Sequence, residues 1–126
     1  MKYVDGFVLV VPKDKVEEYK KMAADGGKIW KKYGALEYFE CMGDDLNPDM
    51  GGMNASTFPK ITKQKDDETV WFSFIVFKSK KHRDEVNKKV MSDPAMNDEN
   101  WKDKPMPFDM KRMTYGGFNV KVEERN

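Results

Sequence analysis

Residues 69–78, TVWFSFIVFK, are the part of the chain that most restricts how it can fold. Alternate side chains of a β-strand point to opposite faces of a sheet, so a strand with one face in water alternates apolar and polar residues. Here seven of the eight residues 70–77 are apolar, and Ser73 is the exception. The pattern therefore predicts a strand whose two faces are both covered by other parts of the protein.

Strands are predicted at residues 3–11, 35–43, 69–78 and 111–122. The helix between the first two strands is predicted to begin at Asp14, whose spacing to Glu17 is typical of a capping box. It is predicted to end at Gly34, because glycine tolerates the left-handed conformation just past a helix. Gly26 and Gly27 interrupt this helix, which indicates a kink or a close backbone contact.

A second helix is predicted to begin at the N-cap Ser79 and to stop at the Ser-Asp-Pro sequence of residues 92–94. Residues 46–56 predict a loop, and residues 58–65 predict the polar start of a hairpin arm. Residues 95–108 predict an ordered loop or a short helical turn.

This order of elements, β-α-β-β-α-β, predicts an α+β protein of the ferredoxin-like class. We expect a single domain over residues 1–126, with both helices on one face of a four-stranded antiparallel sheet. Four strands about 4.8 Å apart and roughly 25 Å long leave roughly 500 Å² bare on the other face, which approaches half of a standard interface. We expect a second copy of the chain to cover it, in a homodimer with the two sheets face to face.

The composition argues against several functional classes. The chain has 23 Lys and Arg against 22 Asp and Glu, so the basic surface of a nucleic-acid-binding protein is not expected. The single cysteine, Cys41, fits a reducing compartment, and Asp5 lies where a secretory signal needs apolar residues. The apolar run 7–11 is far shorter than the roughly 20 residues that cross a bilayer. We therefore expect a cytoplasmic protein without a membrane segment.

Four segments of the sequence resemble a known family: MKYVDGF, GALEYFECMGDD, MSDPAM and MPFDMKRMTYGGF. They are similar to segments of the YbaA-like proteins, a bacterial family of unknown function within the dimeric α/β barrel superfamily. The resemblance implies the ferredoxin-like fold and the homodimer, and it implies no reaction. The superfamily includes cofactor-free monooxygenases that act on polyketide-like aromatic substrates, haem-degrading or haem-dependent members, and stress-response or sensor-like proteins. A shared fold does not identify a site.

Glu40 is the candidate catalytic residue. It shares a strand face with Tyr38 and Met42 in the predicted strand 35–43, so it could be a partly buried carboxylate that acts as a base. The alternative is that this strand lies at the sheet edge and that Glu40 faces water or pairs with a lysine. The neighbouring Cys41 is expected to be a small core residue rather than a nucleophile.

Tyr38, Trp71 and Tyr115 are candidate substrate-binding residues. Phenols and an indole N–H that line a cavity between helices and sheet can orient a flat substrate, although aromatic residues at strand positions also serve as core. Arg112 is a fourth candidate, because a guanidinium can bind a carboxylate through two hydrogen bonds, but Asp109 could equally be its partner.

A pairing of Arg112 with Asp44 and Asp45 is not expected within one chain. The two acids follow the predicted strand 35–43, and Arg112 opens the predicted strand 111–122. We expect these strands to run in the same direction, which puts the acids and the guanidinium at opposite edges of the sheet. Only a pocket shared across the dimer would then bring them together.

His82 and Cys41 are the only histidine and cysteine. His82 lies in the first turn of the second predicted helix between Lys81 and Arg83, so we expect it at the surface rather than on a haem iron. Without a spaced set of carboxylate ligands, these two residues predict no metal site and no cofactor.

Two functions of different classes are compatible with these residues. The first is a cytoplasmic homodimer that binds a small molecule between its helices and sheet. The alternative is a cofactor-independent monooxygenase, in which Glu40 takes a proton from a phenol or enol and the resulting anion reacts directly with dioxygen.

Overall fold

The computed structural model describes residues 1–97 and 105–126. The helices and strands of these ranges are, in order, β1 (Tyr3–Pro12), α1 (Val16–Lys32), β2 (Glu37–Met42), α2 (Phe58–Thr62), β3 (Glu68–Phe77), α3 (Lys80–Met91) and β4 (Thr114–Asn119). Three 3₁₀ turns lie at Lys13–Lys15, Pro94–Asn97 and Met110–Arg112. Part of the predicted loop 95–108, including Trp101, lies outside the described residues. None of the described helices is both long and apolar enough to cross a membrane.

The sheet has the strand order β2-β3-β1-β4, and every neighbouring pair is antiparallel. Strand β3 therefore lies between β1 and β2, which run parallel to each other, as in a split βαβ unit. The predicted α+β, ferredoxin-like fold class is confirmed. Strands β1 and β3 pair over their full length, from Tyr3 opposite Phe77 to Pro12 opposite Glu68.

One face of the sheet packs against α1 and α3. Alternate residues of the central strands point to this face and form the core with residues of the two helices. The buried members are Tyr3, Leu9, Val11, Trp71, Ile75 and Phe77 from the strands, Tyr19 and Ala23 from α1, Val86 and Val90 from α3, and Ala35 before β2. Apolar side chains at two-residue steps in the strands and at three- or four-residue steps in the helices place this layer of contacts.

The other face of the sheet includes the buried residues Val10, Val70 and Val76. The rest of this face, which we call the open face, carries Val4, Gly6, Val8, Phe39, Phe72, Phe74, Thr114, Gly116 and Phe118. Phe72 is 46% exposed and Phe118 is 61% exposed, and the ring of Phe39 stacks on that of Phe74 at 4.9 Å between centroids. The exposed Cys41 also lies on this side of the edge strand β2, so the expectation that it is a core residue is wrong for the single chain.

Helix α1 begins differently from the prediction. A 3₁₀ turn at Lys13–Lys15 leads directly into the helix, and no side chain caps its N-terminus. Asp14 already lies inside this turn, so it cannot adopt the extended conformation that an N-cap residue needs. Gly34 follows the helix with a φ of +113°, which confirms the predicted end.

Residues 58–65 do not form the predicted hairpin arm. Phe58–Thr62 is the short helix α2, in which the Thr57 side chain accepts a hydrogen bond from the Lys60 amide and proline occupies the first turn. A threonine followed closely by proline is a helix-start signal that outweighed the polar strand pattern.

Similarly, Met110–Arg112 turns before β4, so that strand is shorter at its start than predicted. The Ser79 cap of α3 is confirmed, since its hydroxyl accepts from the His82 amide at 3.0 Å.

The expected direction of β2 relative to β4 is wrong. Each neighbouring pair in the order β2-β3-β1-β4 is antiparallel. Three reversals of direction lead from β2 to β4, so these two strands run in opposite directions. The end of β2 and the start of β4 therefore lie at the same edge of the sheet. Two strands still separate β2 from β4, so the two strands lie about 14 Å apart at a strand spacing of about 4.8 Å.

Arg112 is held by partners in its own chain. It binds Glu68 through two hydrogen bonds of 2.7 and 2.9 Å, and it also donates to the backbone oxygens of Thr62 and Lys63. The hydrogen bond from Arg112 holds the pKa of the Glu68 carboxyl at about 2, below the ordinary value of 4.5. The guanidinium thereby ties the segment before β4 to the C-terminus of α2 and the start of β3.

Replacing Arg112 by methionine should lower the free energy of unfolding at neutral pH by about 2 kcal/mol, since charge-assisted hydrogen bonds are lost. The pKa of Glu68 is depressed in the folded state, so this stabilisation is present above the unfolded pKa and lost as the pH falls from 4.5 towards about 2. Urea denaturation should therefore show the gap between wild type and Arg112→Met narrowing over that range. The exposed neighbour Lys111 provides the control, Lys111→Met, and a gap that is constant with pH would contradict the assignment.

Candidate functional site

A cavity of about 500 Å³ lies between the sheet and the helices α1 and α3. Its lining combines aromatic and aliphatic side chains with a few polar ones, and we call it the helix–sheet cavity. The lining residues are Asp5, Phe7, Leu9, Tyr19, Met22, Trp30, Tyr38, Phe39, Glu40, Ser73, Ile75, Arg83, Asn87, Met91, Phe108, Met113 and Tyr115. The polar members fall into two groups, one around Glu40 and one around Arg83.

Glu40 is the centre of the first group. Its carboxylate accepts hydrogen bonds from the Tyr19 hydroxyl at 2.8 Å, from the Tyr38 hydroxyl at 3.0 Å and from the Ser73 hydroxyl. These donors come from α1, β2 and β3, and Ser73 is directly opposite Glu40 in the strand register. Burial, followed by the neighbouring Glu40 charge, raises the pKa of both Tyr19 and Tyr38, so their hydroxyls stay protonated and donate to the carboxylate.

Arg83 and Asp5 form the second group. Asp5 is 5% exposed near the start of β1, and its carboxylate accepts from the Arg83 guanidinium at 2.8 Å. Arg83 also lies 4.8 Å over the Tyr3 ring and pairs with Asp84. Burial raises the pKa of Asp5, and the guanidinium opposes that rise. Asn87, one turn further along α3, accepts a hydrogen bond from the Trp30 indole at 3.1 Å.

The predicted site residues fall into two sets. Glu40, Tyr38 and Tyr115 line the helix–sheet cavity together, and Tyr115 stacks on Phe7 at 5.7 Å between ring centroids. Trp71 is buried and does not line this cavity; its indole N–H donates to Thr69 and its ring meets Tyr19 edge-on. It borders a second, more open pocket together with Tyr38 and Glu40.

Arg112 is not among the cavity-lining residues, and its guanidinium binds Glu68. The alternative for Glu40 is an edge strand on which it faces water or pairs with a lysine. Strand β2 is an edge strand and Glu40 is partly exposed, but its carboxylate binds three hydroxyl groups and no lysine of the described residues. The roles of these residues in binding or catalysis stay predictions.

Sequence reasoning missed Tyr19, Trp30, Arg83, Asn87 and Asp5. Two of the polar positions carried a readable signal, because Asp5 and Ser73 each interrupt a strand that is otherwise apolar on its helix-facing side. A polar residue inside such a strand needs a buried partner. The partners on α1 and α3 could not be assigned without the helix rotation that the structure provides.

His82 has a structural role at the start of α3. Its Nδ1 accepts a hydrogen bond from the Lys78 amide at 3.0 Å, and its ring packs edge-on against Phe77. It is half-buried rather than fully at the surface. In residues 1–97 and 105–126, no three His, Cys, Asp or Glu side chains are grouped so that they could hold a metal ion.

These features define a ferredoxin-like α+β protein with a polar-ended cavity between its helices and sheet. The chain belongs to the family described as protein of unknown function DUF1428, which matches residues 2–110. It is 44% identical over 124 residues to the uncharacterized protein YbaA of Escherichia coli strain K12, an alignment that covers 98% of this chain and 100% of that protein. The YbaA proteins of Escherichia coli O157:H7 and Shigella flexneri match equally. The resemblance seen in the sequence is thereby confirmed.

Gly27 fixes the position of Tyr38 in the site. A Cβ atom at Gly27 would lie 2.8 Å from the Tyr38 ring, whereas a Cβ at Gly26 would make an ordinary contact of 3.5 Å with the Tyr38 hydroxyl. The predicted close backbone contact is therefore present at Gly27. Strand β2 and its phenol approach α1 as closely as they do because this position has no side chain.

Substituting alanine at these two glycines should have opposite effects. Gly26→Ala should raise the free energy of unfolding by up to about 1 kcal/mol, because alanine favours the helix. Gly27→Ala should lower it by about 1 kcal/mol or more, since overpacking against Tyr38 outweighs the same gain. Chemical denaturation of both variants measures the difference, and two equally stabilised variants would show that Tyr38 does not lie on Gly27.

Proposed function

We propose that this protein binds a small molecule in the helix–sheet cavity and that it does so as a homodimer. The observation that carries the proposal is the cavity itself. Its volume of about 500 Å³ is within the range of about 300–1,000 Å³ that ligand pockets occupy. Its walls are mostly apolar and aromatic, and its few polar side chains converge at two places, as expected where a ligand is both enclosed and oriented.

The open face supports the homodimer. Phe39, Phe72 and Phe118 are all exposed there, and the Phe118 ring lies over Gly6 and Gly116, where small residues leave room for it. A face of roughly 500 Å² approaches the roughly 800 Å² that each partner contributes to a standard interface. A second copy of the same face supplies matching apolar surface in a two-fold arrangement, which is the simplest closed assembly.

A cofactor-independent monooxygenase is the alternative function for the same cavity, and it has less support than binding alone. It requires Glu40 to take a proton from the substrate in addition to binding it. No contact among the described residues favours that further step, so binding is the function proposed. A cytoplasmic location, which rests on the unpaired Cys41, remains part of the proposal.

Cavity binding is tested with prodan, a neutral dye whose emission shifts in an apolar site. We expect saturable binding of one dye per chain. Met22→Trp should weaken it about tenfold or more, because a larger side chain at a lining position fills the helix–sheet cavity.

The matched control for the dye experiment is Met110→Trp, which adds the same ring at an exposed position outside the lining. It should leave the affinity unchanged. Equal binding by both tryptophan variants, or no saturable binding by the wild type, would reject the cavity as the site.

The homodimer is tested by sedimentation at micromolar concentration. Wild type should have the mass of two chains, and Phe118→Glu should have the mass of one, because it places a charge in the apolar surface of the open face. Phe118 is 61% exposed in the single chain, so the variant should fold normally. Ala24→Glu adds the same charge on the exposed side of α1 and should stay dimeric. Wild-type protein sedimenting as folded single chains would refute the dimer.

A further inference from the structure

Among residues 1–97 and 105–126, Glu40 differs from the other carboxylates that are shielded from water. In the other cases a cation lies against the carboxylate: Arg83 at 2.8 Å from Asp5, Arg112 at 2.7 Å from Glu68, and Lys32 at 3.1 Å from Asp93. Glu40 accepts from three hydroxyl groups, and no ion pair within 4.0 Å joins it to a basic residue of the described ranges. Its charge is therefore solvated by neutral dipoles and left uncompensated.

The Glu40 carboxylate has room for one more donor. Oε2 accepts from both Tyr19 and Ser73, which uses its two lone pairs, whereas Oε1 accepts from Tyr38 alone. A carboxylate oxygen can accept two hydrogen bonds. Because Glu40 lines the helix–sheet cavity, a ligand in the cavity can supply the missing donor.

The charges around the helix–sheet cavity favour a cation over an anion. Among the described lining residues Arg83 is the one basic side chain, and Asp5, which also lines the cavity, lies 2.8 Å from its guanidinium. Asp5 and Arg83 therefore balance each other, and Glu40 leaves the described lining with one net negative charge. A bound anion would face this charge in a partly desolvated site, where repulsion is stronger than in water.

Aromatic rings flank the carboxylate on two sides. Trp30 and Tyr38 lie with their ring centroids 6.3 Å apart, and Tyr19 meets Phe108 edge-on at 5.7 Å. Ring faces attract organic cations, and they also give an apolar ligand body a dry surface to contact. An ammonium group beside Glu40 would therefore be stabilised by both the carboxylate and the rings.

We propose that the helix–sheet cavity takes an organic monocation, an amine that is protonated at neutral pH and carried on an apolar body, with its ammonium group donating to Glu40 Oε1. This assignment rests on the proposed binding function and names its ligand class. The carboxylate orients the cationic end of the ligand, and the apolar wall contributed by Phe7, Leu9 and Ile75 contacts the rest.

The test compares three probes of one shape: phenethylamine, 2-phenylethanol and 3-phenylpropionate, which are cationic, neutral and anionic at neutral pH. Each is titrated against prodan-loaded protein, and its dissociation constant is obtained from displacement of the dye. Wild type should bind the amine about tenfold or more tightly than the alcohol, as expected for one charge-assisted hydrogen bond, and should bind the anion most weakly. Glu40→Gln should reduce the preference for the amine to about twofold or less. Glu37→Gln, an exposed position on the same strand, should retain it.

Each outcome decides a separate point. If the alcohol or the anion binds wild type as well as the amine does, the ligand class is wrong while the cavity still binds small molecules. If Glu40→Gln still prefers the amine as strongly as wild type does, Glu40 is not the group that binds the ammonium. If wild type binds neither the dye nor the probes, the proposed binding function is rejected as well. The wild-type comparison stands without the variant, so a poorly folded Glu40→Gln protein would not prevent the test.

Discussion

The central antiparallel pair β1–β3 is the constraint on which the rest of the structure depends. Both strands are apolar on both faces, so each face of the sheet must be covered by something. Helices α1 and α3 cover one face and form the core there, and the four-stranded sheet leaves the other as the open face. Two polar residues, Asp5 and Ser73, interrupt the helix-covered face. They are diagonal neighbours, since Asp5 is opposite Ile75 and Ser73 is opposite Phe7. The same two strands therefore set both the hydrophobic core and the positions of the polar groups in the cavity.

The parts of the fold that could be predicted from the sequence are those determined by local pattern. Periodicity placed the four strands and two long helices, while Ser79 and Gly34 marked boundaries through their own hydrogen bonding and backbone conformation. The failures have a different origin. Helix α2 depends on the Thr57 cap beside Pro59 rather than on periodicity, and the direction of β2 relative to β4 depends on which strands become neighbours. Pairing of strands distant in sequence is a tertiary property that no single segment encodes.

Prediction of the candidate site succeeded only where strand alternation alone decides the outcome. Glu40 and Tyr38 share a phase of β2, so once that phase faces the helices both reach the helix–sheet cavity. Trp71 has the correct phase in β3, but it is not among the residues that line the helix–sheet cavity, and its ring packs edge-on against Tyr19. Arg112 was predicted to bind a carboxylate through two hydrogen bonds, and in the structure it binds Glu68 of the same chain in this way. Alternation predicts which face a side chain occupies, whereas its partner depends on the rotation of the helix packed above it.

The cluster around Glu40 is difficult to explain as a device for stability. Removing a carboxylate from water carries a large desolvation penalty, and three neutral hydroxyls offset less of it than a cation would. An apolar side chain of similar size would keep β2 packed on α1 and would leave no charge to solvate. The chain instead uses residues from three elements, Tyr19, Tyr38 and Ser73, to hold one charge at the wall of a cavity. Features that oppose local stability in this way are concentrated at functional sites, where a ligand completes the interactions that the folded chain leaves open.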